Sequence, residues 1–245
     1  MLDEMGRKVE ATDILRIATK TAPSDARTWN SLGAVEFRLG HANEAKAAFE
    51  RAISIDPEMP EPRSGLGLVL LRSGDRAAAE RQFREAIRIL PNYGNAHRNL
   101  GDLLFSAGDL PQAAWELRVA ADLLPEDAAV RFNYAIALSA LKELVDAELQ
   151  VTAAIRLDHN FAEAHALLGN IFQQKHQMED ARREYETALK IRPELSRAQF
   201  DLGALLAGKG DVAEATPHLR NAARSNDPAL RTLAAQLLQK LGIQP

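Results

Sequence analysis

Proline recurs at Pro23, Pro57, Pro91 and Pro125, each 34 residues from the last, and Pro193 falls on the same grid two steps further along. The two other grid points are His159 and Asp227, the latter followed at once by Pro228. One globular core has no reason to keep a fixed period without insertion across nearly the whole chain. A small unit copied many times does. The question of function therefore moves from a catalytic pocket to a surface built by stacking.

Other columns keep the same period. With units set at 26–59, 60–93, 94–127, 128–161, 162–195 and 196–229, the twentieth position is always Ala (Ala45, Ala79, Ala113, Ala147, Ala181, Ala215). So is the twenty-seventh (Ala52, Ala86, Ala120, Ala154, Ala188, Ala222). The eighth is Gly33, Gly67, Gly101, Ala135, Gly169 and Gly203, and the twenty-fourth is large and mostly apolar: Phe49, Phe83, Leu117, Val151, Tyr185 and Leu219. Gly40, Gly74, Gly108 and Gly210 mark the middle of four units.

The apolar positions recur at helical spacing. The central Gly, often followed by Asp, ends one helix and caps the next. The proline ends the second helix, because it cannot donate the backbone bond and clashes with the preceding turn. Each unit is thus expected to be two antiparallel helices, A then B. Small residues sit where the axes approach most closely. One pair cannot bury its apolar face alone, so stacked pairs share a core through contacts with their neighbours.

The run Trp29, Leu32, Gly33, Gly40, Ala45, Phe49, Ala52, Pro57 resembles the tetratricopeptide repeat, and the resemblance extends over essentially all of the chain. It implies an all-α fold: a right-handed superhelical α-solenoid of antiparallel helix pairs. Unit four departs most, with Ala135 for Gly, Lys142 for the turn Gly and His159 for Pro. These read as drift, with an altered turn expected at Lys142.

Residues 3–22 match only the B half of a unit, through Ala11, Leu15, Ala18 and Pro23. The missing A helix would leave Ile14, Leu15 and Ile17 partly uncovered, unless Leu2 and Met5 fold over them. The edge invites a further segment of a longer chain, or self-association through this helix. At the other end, residues 228–241 read as a capping helix. Asp227 and Pro228 start it, Leu230, Leu233, Ala234, Leu237 and Leu241 form its apolar stripe, and Gly242 stops it.

Composition narrows the function classes. The chain has no cysteine, which excludes disulfides, thiolate metal sites and a cysteine nucleophile. The six histidines (His41, His97, His159, His165, His176, His218) form no recognised ligand pair. No phosphate-cradling glycine loop is present, so neither catalysis nor a cofactor or metal is expected. A net charge of −4, without a basic stripe interleaved with aromatics, argues against nucleic acid. No apolar run reaches membrane-spanning length and residues 1–10 lack the order of a signal peptide. Cytoplasm is the default location, though a removed signal peptide would leave periplasm or secretion open.

In the family that this chain resembles, positions two, five, six, nine, twelve and thirteen of the A helices line a groove that holds a peptide or partner segment. Asn99 and Asn133 share one column in consecutive units, and an amide there can both donate to and accept from a peptide backbone. Arg38, Arg72 and Arg98, with Asp102, lie toward the first half of the groove, and Arg can grip a carboxylate through two parallel bonds. Phe132, Ile136, Leu167 and Phe200, with Asn170, lie toward the second half. A partner with an acidic portion next to apolar anchors would match. The chaperone-tail type of carboxylate clamp does not fit, because Asp102 and Glu163 would repel the ligand. The expected function is a non-catalytic scaffold for an extended peptide or protein partner. The alternative is the repeat region of a larger enzyme or secretion machine that positions substrate for chemistry elsewhere.

Overall fold

The structure, a computed structural model, describes residues 2–244, and side chains from residue 12 onward. Among the described residues every regular element is a helix. The chain falls into two compact units, Met1–Pro125 and Glu126–Pro245. The unbroken period of the sequence suggests a single array. In a chain whose core contacts run between neighbouring helices, however, the period alone does not create one compact body.

The N-terminal unit begins with α1 (Leu2–Thr21). Three helix pairs follow: α2 (Ala26–Leu39) with α3 (Ala42–Ile55), α4 (Pro60–Arg72) with α5 (Arg76–Ile89), and α6 (Gly94–Ala107) with α7 (Leu110–Leu123). The C-terminal unit holds α8 (Ala128–Ala140) with α9 (Leu144–Leu157), α10 (Ala162–Gln174) with α11 (Met178–Ile191), and α12 (Ser196–Lys209) with α13 (Val212–Ala222), closed by α14 (Pro228–Lys240). Five B helices end at Ile55, Ile89, Leu123, Leu157 and Ile191, on the 34-residue grid whether or not a proline follows. After α9, where His159 stands in place of proline, the Asp158 carboxylate accepts from the Asn160 amide at 2.9 Å, the same turn that Asp56 makes with Glu58 across Pro57.

The turns between A and B helices run through left-handed backbone at Gly40, Gly74, Gly108 and Gly210. Lys142 and His176 occupy the same column with φ of 67° and 61°. The turn at Lys142 is therefore not altered, contrary to expectation; a non-glycine residue adopts the same left-handed geometry, at a cost in strain.

The small-residue columns close the pairs. A Cβ built on Gly33, Gly67, Gly101, Gly169 or Gly203 would come within 2.4–2.8 Å of the large residue at position twenty-four: Phe49, Phe83, Leu117, Tyr185 or Leu219 respectively. In α8, Ala135 faces this contact, and its partner on α9 is the smaller Val151; both are fully buried. The two departures of that pair compensate one another.

At the N-terminal edge, Ile14 and Ile17 are 60% and 62% exposed. Leu2 and Met5 lie outside the residues with described side chains. The edge helix has a polar anchor that the sequence did not suggest: buried Glu36 of α2 accepts from Arg16 Nη2 of α1 and from His41 Nδ1, each at 2.7 Å. In α14, Asp227 accepts from the amides of Ala229 and Leu230. Leu230, Ala234 and Leu238 are its buried residues, while Leu233 is 47% exposed. Leu237 and Leu241 pack half-buried against the same core, so the expected stripe holds except at Leu233, and Leu238 joins it.

Candidate functional site

The A helices are held in place by a paired column. The fourth residue of an A helix donates to a carbonyl six residues earlier: Trp29 to Pro23, Arg63 to Pro57, His97 to Pro91 and Gln199 to Pro193. Its partner lies nineteen residues later on the B helix, giving His97 with Glu116, Arg131 with Gln150, His165 with Glu184 and Gln199 with His218. At His97 and Gln199 one side chain makes both bonds and so bridges the preceding turn, its own helix and the B helix. His97 is the most buried of these histidines, with Nδ1 2.6 Å from Glu116 and Nε2 2.9 Å from the Pro91 carbonyl. Both partners are acceptors, so the imidazolium satisfies both. Burial pulls its pKa down, but the Glu116 bond and charge and the Pro91 carbonyl outweigh it and hold the pKa above the ordinary value. His218 is also desolvated, but its Nδ1 faces only the neutral Gln199 amide, and burial holds its pKa low. The glutamate pairing explains what packing alone would not.

With the A helices fixed, their remaining face lines a pocket in each unit. The N-terminal pocket, about 540 Å³, is lined by Asn30, Ala34, Phe37 and Arg38 of α2, Phe49 of α3, Glu61, Ser64, Gly65 and Leu68 of α4, and Tyr93, Asn95, Arg98 and Asn99 from the start of α6. Arg38 and Glu61 are exposed. Asn99 is buried, and its amide donates to Ser64 Oγ at 3.1 Å. Arg72 stands behind Phe37, with its guanidinium 5.1 Å from the ring centre and Nη1 donating to the Phe37 carbonyl. Tyr93 is half-buried and its phenol pKa is raised by that burial and by Glu61.

The C-terminal pocket, about 610 Å³, is lined by Ser139 of α8, Leu167, Asn170, Gln173 and Gln174 of α10, and Arg197, Phe200, Asp201 and Ala204 of α12. Its floor is a polar network. The Asp201 carboxylate is buried, with Arg197 Nε at 2.9 Å and Asn170 Nδ2 at 3.3 Å. Burial raises the Asp201 pKa against the pull of Arg197. Tyr185 Oη lies 2.9 Å from Asn170 Oδ1 and 2.8 Å from Gln173 Oε1, so one phenolic proton serves two acceptors, and burial raises its pKa strongly. Gln174 is tied to Lys142 and Ser139.

Of the residues singled out in the sequence, Arg38, Arg98 and Asn99 line the N-terminal pocket, and Leu167, Asn170 and Phe200 line the C-terminal one. Arg72 backs the first without lining it. Phe132 packs its ring 4.7 Å from that of Phe161. Ile136 is half-buried on α8 and lines neither pocket. Asp102 and Asn133 are half-buried and already engaged within the protein. Sequence reasoning missed Phe49 and Tyr93 in the first pocket and the Tyr185–Asn170–Asp201 network under the second. One signal for the former was available: Gly65 is the only glycine in the sixth column.

Among the described residues no group of His, Asp and Glu could hold a metal ion, and no helix is long and apolar enough to cross a membrane. Models of the tetratricopeptide repeat match residues 64–122 and 161–230 in one case and residues 26–59 in another. No curated protein matches the sequence. Solved structures with the same fold include YrrB, a repeat protein described as having an unusual peptide-binding site. It is 23% identical with a TM-score of 0.65, covering 81% of this chain and 100% of that one. PilF of Pseudomonas aeruginosa is 19% identical with a TM-score of 0.77, covering 89% and 97%. MamA of Desulfovibrio magneticus RS-1 is 20% identical with a TM-score of 0.62, covering 70% and 97%.

Proposed function

The chain belongs to the tetratricopeptide repeat family, and from that premise we propose that it is a non-catalytic protein-interaction scaffold whose A-helix faces hold an extended peptide or partner segment. The observation that carries this reading is that each unit has a pocket lined mainly by the same A-helix columns, rich in amide, hydroxyl and guanidinium groups. Such groups pair with the backbone of an extended chain, and scattered apolar side chains supply anchors. The peptide-binding site of YrrB, a protein of the same fold, supports the reading.

A photo-crosslinking amino acid placed at Asn30 or Gln173, on the pocket faces, should capture a partner polypeptide. The same residue at Arg81 or Arg183, exposed on B helices, should not. Capture from the B-helix positions alone would contradict the proposal.

A further inference from the structure

Column six of the A helices holds Ser31, Gly65, Asn99, Asn133, Leu167 and Asp201. Only at Gly65 is there no side chain. A Cβ there would lie 2.4 Å from the tip of the Phe49 ring. The missing side chain lets that ring reach beneath α4 and stand as part of the pocket wall, although it is otherwise buried. Phe37, Leu68 and Tyr93 add three more apolar or aromatic walls. Two cations belong to the lining, Arg38 and Arg98, and Arg72 stands behind Phe37; the lining has one carboxylate, Glu61. The C-terminal pocket differs: its sixth-column residues are Leu167 and the buried carboxylate of Asp201, and its floor is hydrogen-bonded amide and phenol.

Building on the scaffold reading above, we propose that the pocket floored at Gly65 by the Phe49 ring is a side-chain pocket that takes an aromatic residue of the bound peptide, with an adjacent Asp or Glu of that peptide held by Arg38. An aromatic side chain fits because the walls are themselves rings, which pair edge-to-face or offset, and because a buried ring contributes a large contact area. The carboxylate follows from Arg38, which stands exposed in the lining beside these rings and whose planar fork matches a carboxylate. Specificity at this place is thus a property of one unit, with the polar pocket of the other suited to main-chain groups.

The test uses the full chain and a displayed library of random dodecapeptides, followed by fluorescence polarisation with the enriched peptides. Two variants probe the two halves of the site. Arg38→Glu reverses an exposed charge, and Ala34→Leu narrows the pocket from its lining with a residue whose helix propensity is close to that of alanine. Enriched peptides should carry an aromatic residue beside Asp or Glu, and each variant should weaken their binding roughly tenfold. Circular dichroism of both variants should match the parent chain. Peptides enriched without that pair, or bound equally by both variants, would overturn this pocket while leaving the scaffold reading in place. A library that yields no enriched peptide would overturn both.

Discussion

At the residue scale, two histidines in equivalent bridging pairs, one on an A helix and one on a B helix, are set in opposite directions by their partners. His97 faces Glu116, and His218 faces Gln199. The folded pKa of His97 is raised, so its contribution to stability is complete below the unfolded value near 6.5 and is lost as pH rises through the folded value. The folded pKa of His218 is lowered, so its contribution is complete above the unfolded value and is lost as pH falls through the folded one. An imidazole NMR titration should therefore place His97 above 6.5 and His218 below it; coincident titration would contradict the pairing. A second prediction concerns Lys142 and His176, which hold left-handed turns without being glycine. Lys142→Gly and His176→Gly should each stabilise the chain by about 0.5–1 kcal/mol in urea unfolding, because relief of the strained conformation exceeds the added freedom of the unfolded chain. Lower midpoints for both would show that the turns are relaxed as they are.

At the scale of helix pairs, axis separation is set by columns eight and twenty-four together. Glycine accompanies Phe, Leu or Tyr; alanine accompanies valine. Gly67→Ala should cost about 1–3 kcal/mol, because its Cβ would meet Phe83 at 2.4 Å in a closed core. Adding Phe83→Val should cost less in the Gly67→Ala background than in the parent chain, and a double-mutant cycle measures that coupling. Strict additivity would refute the compensation. Pro217 stands inside α13, where it lacks the N–H that the helix would use. Pro217→Ala should stabilise the C-terminal unit, by up to about 3 kcal/mol. An unchanged or lower midpoint would show that the local backbone is already adapted to proline.

Much of this scale was legible in the sequence, because a repeat prints its own alignment. The grid of prolines, the Gly-Asp turns and the invariant alanines gave the helices and their partners without any other chain. What escaped were relations between columns. The compensation of Ala135 by Val151 was on the page as two separate departures. The pairing of His97 with Glu116 needs the spacing of nineteen residues across two antiparallel helices. Asn99 read as an exposed rung, yet Ser64 on the previous A helix claims its amide. Exposure depends on what the neighbouring repeat presents, and column identity alone does not give it. The pocket at Gly65 was missed for the same reason: an absent side chain shows what takes its place only when the ring of Phe49 is seen there.

At the scale of the whole molecule, the account rests on one division of labour. Alanine, glycine and large apolar columns close the pairs, bridging columns fix the A helices, and the residues left over on the A-helix face are those we propose to meet a partner. Alanine methyl groups report directly on this, since Ala34 and Ala204 line the two pockets while Ala77 and Ala213 are exposed on B helices. Methyl NMR spectra recorded during titration with a library-selected peptide should show shift changes at Ala34, Ala204 or both, and none at Ala77 and Ala213. Changes confined to Ala77 and Ala213 would place the partner on the outer face and contradict the account.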